Sequence, residues 1–147
     1  MKFQSSIDIA VSPEVVFTFL STHENHSRFI RENIESKQLS PGPMGVGTDV
    51  RNVASFMGMR MVEDFTITEF EPNRRLAKRS REGSTVETTD TFDLERTPTG
   101  TRVHLTVTGK LKGARGLFFR LLAPILQKSF DRTLKELKRI LEAEKSA

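Results

Sequence analysis

Asp90 is a carboxylate on what is otherwise the apolar face of a predicted strand. The residues around it alternate, so that Val86, Phe92 and Leu94 share its face while polar residues occupy the other. Because burying an unpaired charge is costly, this aspartate needs a partner. Lys78 lies on the preceding predicted strand and could reach it across the hairpin. The pair could orient a ligand carbonyl or act in acid–base catalysis; a structural ion pair near the sheet end is the alternative interpretation.

His23 and His26 form a short H-x-x-H sequence with Glu24 between them. One helical turn could bring both imidazoles together, and Zn²⁺ accepts such pairs. A metal site needs further ligands, however, and the H-E-x-x-H spacing of zinc proteases does not occur. We therefore predict no metal site and interpret both histidines as polar residues on a lid-like helix over a cavity mouth. His104 lies on an outward face and is assigned no role.

Several classes of catalytic site are excluded by what the chain lacks. Its 147 residues include no cysteine, which rules out disulfides, thiolate metal sites and a cysteine nucleophile. It also has no Walker loop, no dinucleotide-binding glycine motif after a strand, no G-x-S-x-G turn and no kinase motifs. We predict no cofactor. If the protein is an enzyme, the candidate catalytic residues are Asp90, Lys78 and Asn52.

Hydrophobic periodicity indicates the elements that would position these residues. An alternating first strand leads into Ser12, Pro13 and Glu14, which are typical of a helix cap and first turn. A second short helix is predicted over 25–31. Further strands, separated by turns rich in Gly and Pro, are predicted over 48–56, 59–70, 76–81, 86–95 and 101–111. Connections this short favour an antiparallel meander.

The C-terminal segment changes to a helical period. Its apolar stripe predicts one long helix over 117–142, roughly 39 Å at 1.5 Å per residue, interrupted near Pro124. We therefore predict a single α+β domain over 1–147, with a curved antiparallel sheet, two short helices after the first strand and a long C-terminal helix. A curved sheet with one long helix and little else to fill it tends to enclose a cavity.

The chain also resembles a known superfamily. The matching stretches are 9–17, 45–48, 67–76, 100–103 and 134–138. Their order resembles the START-related helix-grip superfamily (SRPBCC), which includes polyketide cyclase/dehydrase-like proteins, coenzyme Q-binding proteins, lipid-transfer domains and plant allergens. The resemblance covers essentially the whole chain and implies a helix-grip fold, in which about six to seven strands wrap around the C-terminal helix. The superfamily has no catalytic signature shared by all members, so the resemblance does not fix a function.

The predicted cavity lies between the concave face of the sheet and the long helix. Alternation predicts that it is lined by Asn52, Ala54, Phe56, Met61, Phe65, Ile67, Ser80, Thr88, Phe92 and Val107 from the strands, with Phe118, Leu122, Leu126 and Phe130 from the helix. Most of these are apolar, which suits a lipid, isoprenoid or polyketide-like ligand. A fully packed core without a usable pocket is the alternative interpretation.

Positive charge is concentrated in the C-terminal segment. The formal charge is +4, and 10 of the 23 lysines and arginines, but only 4 of the 19 acidic residues, lie in 110–147. Within it, Arg115 and Arg120 flank Phe118 and Phe119, a pattern that could contact a membrane surface. The alternatives are a cap on the barrel end or a homodimer contact. The chain shows no apolar signal core, and we expect a cytoplasmic location.

Three functions remain open. The first is binding or transport of a small hydrophobic ligand without any chemistry. The second is an enzyme of the polyketide cyclase, aromatase or dehydratase type, because orientation in a shaped pocket can by itself lower a barrier. The third, for which the basic helix is the sole support, is association with RNA or the ribosome. We favour the first function and regard nucleic acid as the weakest candidate partner.

Overall fold

The computed structural model describes residues 1–84, 86–111 and 113–146, and within them one antiparallel sheet forms the body of the fold. Its strands are β1 (Lys2–Ile9), β2 (Asn33–Gln38), β3 (Asp49–Phe56), β4 (Met59–Glu71), β5 (Arg75–Ser80), β6 (Glu87–Thr97) and β7 (Gly100–Lys110). Their spatial order is β1-β7-β6-β5-β4-β3-β2, so β1 and β2 form the two edges. The predicted α+β helix-grip architecture is confirmed.

The helices follow the first strand and the last one. They are α1 (Pro13–Ser21), a 3₁₀ turn (His23–Asn25), α2 (His26–Phe29), α3 (Ala114–Leu121) and α4 (Ala123–Ser146). The predicted start of α1 is confirmed, because the Ser12 hydroxyl accepts from the Val15 amide at 3.5 Å. The helix predicted over 25–31 is shorter than expected and starts as the 3₁₀ turn. No helix in the described residues is long and apolar enough to cross a membrane.

The core lies between the sheet and α4, which packs chiefly against β1. Leu134, Leu137 and Leu141 follow the predicted helical stripe, and each is almost completely buried in one cluster with Ile9 and Val103. Removing a leucine side chain of this kind from water stabilises the fold by about 1.5–3 kcal/mol. The interior between α4 and the sheet is therefore filled by these side chains.

The C-terminal helix is interrupted where Pro124 predicts it. α3 ends at Leu121, and α4 starts at Ala123 with Pro124 in its first turn, where a missing amide proton costs nothing. The two segments behave differently, since none of the residues of α3 is buried. The part of the predicted helix before Pro124 therefore does not reach the core.

One strand, β2, was not predicted. It places Asn33 and Ser36 inward and Ile34 outward, and its register with β3 shifts between Asn33 and Glu35. A bulge of this kind breaks the two-residue alternation on which the prediction depends. This strand brings a polar inner face next to the short helices.

Candidate functional site

A small interior cavity lies under α1 and α2, against β4, β5 and β6. Its volume is about 10 Å³, which is enough for a single water-sized group. Its wall consists of Leu20, His23, His26, Met44, Ile67, Leu76, Lys78, Asp90 and Phe92. Ligand pockets for larger molecules usually measure about 300–1,000 Å³, so the interior is closer to the packed alternative than to an open cavity.

Lys78 and Asp90 form the predicted pair on this wall. They face each other across β5 and β6, and Lys78 Nζ lies 3.7 Å from Asp90 Oδ2. Lys78 Nζ also lies 4.4 Å from the centre of the Phe65 ring, within cation–π range. Burial lowers the pKa of Lys78 and raises the pKa of Asp90, while their mutual attraction opposes both shifts. Their proton affinities are thus closer together than those of the free side chains.

Asn52 connects this pair to His23. The lysine ammonium can only donate, so the amide atom 3.2 Å from Lys78 Nζ is the oxygen. The Asn52 amide nitrogen then donates to His23 Nε2 and to Ser36 Oγ, each at 2.8 Å. His23 therefore carries its proton on Nδ1. Burial and the nearby Lys78 charge lower the pKa of His23 to about 3, so the ring is neutral at physiological pH.

His26 completes the cluster. Its ring centre lies 4.4 Å from that of His23, and its Nε2 donates to the Leu20 carbonyl at 2.8 Å. Burial lowers the pKa of His26 well below its usual value, with the charge on Lys78 acting in the same direction. Within the described residues, His26 Nδ1 is the only buried side-chain nitrogen or oxygen without a hydrogen-bond partner.

The interpretation of the two histidines as polar residues on a lid over a cavity mouth is wrong. Each is only 2% exposed, because the 3₁₀ turn and α2 present them to the sheet rather than to solvent. The predicted proximity of the two rings is borne out. The expected lack of a metal site is not contradicted: among the described residues, no group of three or more potential ligands of the types His, Cys, Asp or Glu comes together.

Glu63 is a site residue that the sequence reasoning missed. It lies on β4 opposite Asn52, with its pKa raised by burial and affected by the charges of Lys78 and Asp90. The alternation that placed Met61 and Phe65 inward also places Glu63 there. The signal is therefore present in the spacing, as a carboxylate between two apolar residues of the inward face.

The other predicted lining residues are dispersed. Ile67 and Phe92 line the cavity, and Ala54 and Phe65 are buried on neighbouring strands. Ser80 and Thr88 contact each other at 3.1 Å between their hydroxyl oxygens. The partly buried residues are Phe56, Met61, Val107, Leu122, Leu126 and Phe130. The prediction that Phe118 lines the cavity is wrong, because its side chain is 51% exposed on α3, none of whose residues is buried.

Comparison with known proteins identifies relatives over the whole fold. Residues 1–142 match the family model described as polyketide cyclase / dehydrase and lipid transport. An uncharacterised protein of Mycobacterium tuberculosis is 29% identical over 145 residues, which cover 96% of this chain and 84% of the relative, and a Mycobacterium bovis protein matches to the same extent. These relatives carry no assigned activity.

Solved structures show the same fold. A protein of Thermus thermophilus is 25% identical, with a TM-score of 0.79 over 98% of this chain and 99% of that one. The Streptomyces ZhuI aromatase/cyclase is 14% identical, with a TM-score of 0.78 over 97% of this chain and 93% of that one. At that identity the second likeness concerns the fold alone.

Proposed function

The chain belongs to the family described as polyketide cyclase / dehydrase and lipid transport, and on that premise we propose that it binds a small, mostly apolar molecule in the interior. The observation that carries the proposal is the mixed wall of the cavity. Five apolar side chains face four polar ones there, namely His23, His26, Lys78 and Asp90. Binding sites for small molecules combine these features, an apolar lining with a few polar groups that set orientation.

The cavity must enlarge to accept such a molecule, and Met44 is the lining residue best placed to move. The other lining residues lie on helices or strands, whereas Met44 lies on the loop between β2 and β3. Gly42 and Gly47 on either side have positive φ angles of 91°. Methionine is also flexible enough to reshape around a ligand. Displacement of the Met44 side chain would join the cavity to solvent.

Mass spectrometry of gently purified protein, first native and then denatured, tests the proposal directly. A stoichiometric apolar compound would support it and identify the ligand class. Uptake of the apolar fluorophore N-phenyl-1-naphthylamine provides a second measurement. We expect Met44→Ala to accelerate uptake and Val46→Ala, a change at an exposed position of the same loop, to leave it unchanged. A protein that is empty and takes up no apolar probe would refute ligand binding.

Catalysis of the cyclase or dehydratase type is the second candidate, favoured by the Lys78–Asp90 pair. Burial lowers the pKa of Lys78 and raises that of Asp90, which reduces the cost of moving a proton between them. Asp90 would serve as the acid or base, and Lys78 would polarise a carbonyl. The two functions differ in whether a bound compound leaves unchanged. If Asp90→Asn altered neither ligand binding nor turnover, a functional role for this pair would be excluded.

A membrane contact through α3 would give an apolar ligand a source and a destination. Leu117, Phe118 and Leu121 are 51–73% exposed, and Arg115 and Arg120 lie exposed among them. An amphipathic helix with arginines beside aromatic and leucine side chains is suited to an anionic lipid surface. We therefore propose that α3 docks on anionic membranes.

Charge pairing distinguishes α3 from α4. Several cations of α4 are neutralised in place: Arg132 by Glu32 at 2.6 Å and Arg139 by Glu136 at 2.5 Å. In the part of the chain that the structure describes, neither arginine of α3 forms an ion pair. Both arginines of α3 are thus available to an external anionic partner, while on α4 Lys128 and Lys135 also form no ion pair within the described residues.

Co-sedimentation with phosphatidylglycerol and phosphatidylcholine vesicles tests this contact. We expect salt-sensitive binding to the anionic vesicles that the double variant Phe118→Ser/Leu121→Ser abolishes. The exposed apolar control Val46→Ser should bind like the wild type. Equal binding by the double variant would refute docking through α3. A loss of self-association in that variant, with no vesicle binding by either protein, would favour the dimer contact.

A further inference from the structure

His26 Nδ1 is an acceptor that lacks a donor among the described residues. Because the Leu20 carbonyl can only accept, the proton of the neutral ring lies on Nε2. Nδ1 therefore presents a lone pair, and the ring that carries it is 2% exposed and lines the cavity. A buried polar atom without a partner is rare and costs stability, and one on a cavity wall indicates an occupant.

The chemistry of the occupant follows from the groups around the cavity. A carbonyl or ether oxygen cannot satisfy Nδ1, because neither has a proton to donate. Protonation of the ring is opposed by its burial and by the ammonium of Lys78. The group that enters must therefore bring a proton of its own, as a hydroxyl does.

Lys78 supplies the complementary donor. Its Nζ lies 3.7 Å from Asp90 Oδ2, beyond the usual length of a direct hydrogen bond, so the ammonium can donate to a further acceptor in the cavity. Asn52 holds the ammonium from the other side at 3.2 Å. Lys78 and His26 both lie on the wall of this cavity, which has room for one such group, so an oxygen placed there faces both side chains.

Resting on the ligand binding proposed above, we propose that the site selects molecules with an alcohol, enol or phenol hydroxyl. The hydroxyl donates to His26 Nδ1 and accepts from Lys78 Nζ, while the apolar body displaces Met44. A ligand whose terminal oxygen is a ketone or ether would leave Nδ1 unsatisfied. The site thus selects a ligand by whether its oxygen can donate a hydrogen bond, and not by the size of the ligand.

Displacement of N-phenyl-1-naphthylamine by n-decanol, n-decyl methyl ether and n-decane tests the selectivity. We expect decanol to bind at least about tenfold more tightly than the ether, which corresponds to about 1.4 kcal/mol. The ether is the more apolar molecule, so partitioning alone predicts the opposite order. His26→Phe, which keeps an aromatic ring, should abolish the preference without abolishing binding, and His104→Phe should retain it.

Nitrogen-15 NMR of the histidine rings in the wild type gives a readout that does not depend on a folded variant. Decanol, and not the ether, should shift the His26 Nδ1 resonance. Equal affinities for decanol and ether, or an unmoved Nδ1 resonance, would overturn the hydroxyl selectivity while leaving apolar binding intact. A water already bonded to Nδ1 in the ligand-free protein and retained with decanol bound would also overturn it. If none of the three compounds binds, the proposed function itself fails.

Discussion

Acidification should destabilise this protein strongly, because two histidines are buried as neutral rings. The pKa of His23 is about 3 in the folded protein against 6.5 for the free side chain, and that of His26 is also far below its usual value. Between these values the unfolded chain binds protons that the folded protein does not. Stability is therefore fully present above pH 6.5 and falls as the pH is lowered through this window.

The size of the effect can be worked from the unfolded chain. At pH 5, a histidine with an unfolded pKa of 6.5 and a folded pKa well below 5 costs roughly 2 kcal/mol of stability relative to pH 8. This figure applies to His23, whose folded pKa is about 3, and His26 adds a loss in the same direction because burial lowers its pKa as well. Asp90 and Glu63 act in the opposite sense, since their raised pKa values favour the folded protein at low pH. We expect a net loss of about 2–4 kcal/mol.

Urea unfolding followed by far-UV circular dichroism at pH 5, 6, 7 and 8 measures this loss, since the chain has no tryptophan or tyrosine for a fluorescence assay. His23→Gln should reduce the pH-dependent loss by roughly 2 kcal/mol, and His26→Gln should reduce it in the same direction. His104→Gln changes a partly exposed ring and serves as the control. A wild-type stability that is equal at pH 5 and pH 8 would refute the reasoning that both rings are buried without charge.

Three further predictions concern stability, each measured by the same urea unfolding. Lys78→Met should cost about 3 kcal/mol at neutral pH, and the double variant Lys78→Met/Asp90→Leu about 1 kcal/mol or less, because it removes both partners of the buried pair instead of leaving Asp90 without its cation; similar losses in both would contradict this. Gly100→Ala should destabilise by about 2–3 kcal/mol, because its Cβ would lie 2.1 Å from the Ile9 carbonyl oxygen; a neutral outcome would show that the turn can shift. Leu137→Ala, at a fully buried position, should cost about 2–5 kcal/mol, and a loss below about 1 kcal/mol would mean that α4 is not firmly packed.

Local pattern was sufficient to predict most of the framework. Strands with a two-residue hydrophobic period, joined by short turns, can pair with their neighbours in few ways. The order of the strands and the position of Lys78 opposite Asp90 can therefore be predicted from the sequence. Ser12 and Pro13 mark the start of α1 for an equally local reason, since a cap and a fixed φ angle act within one turn. β2 was missed because its polar residues face inward across a bulge.

The site was only partly predictable. Asp90, Lys78 and Asn52 were found because a polar residue on an apolar face is visible in the spacing. Their connection to His23 could not be found in this way, because His23 and Asn52 are 29 residues apart in the sequence and meet only across the interior. A 3₁₀ turn followed by a helix of four residues is too short to show a hydrophobic period. The local sequence therefore does not indicate whether His23 and His26 face the core or the solvent.

The sequence by itself determined that this chain builds a curved antiparallel sheet with a long C-terminal helix, and that one strand pair carries an inward charge pair. Only the tertiary structure decided that both histidines lie inside, that His26 Nδ1 has no partner among the described residues, and that the cavity is reduced to the size of a single hydroxyl or water. The physical reason is that hydrophobic periodicity and the pairing of consecutive strands depend on residues close to one another in the sequence. Burial and the space left inside depend on which surfaces the distant elements bring together.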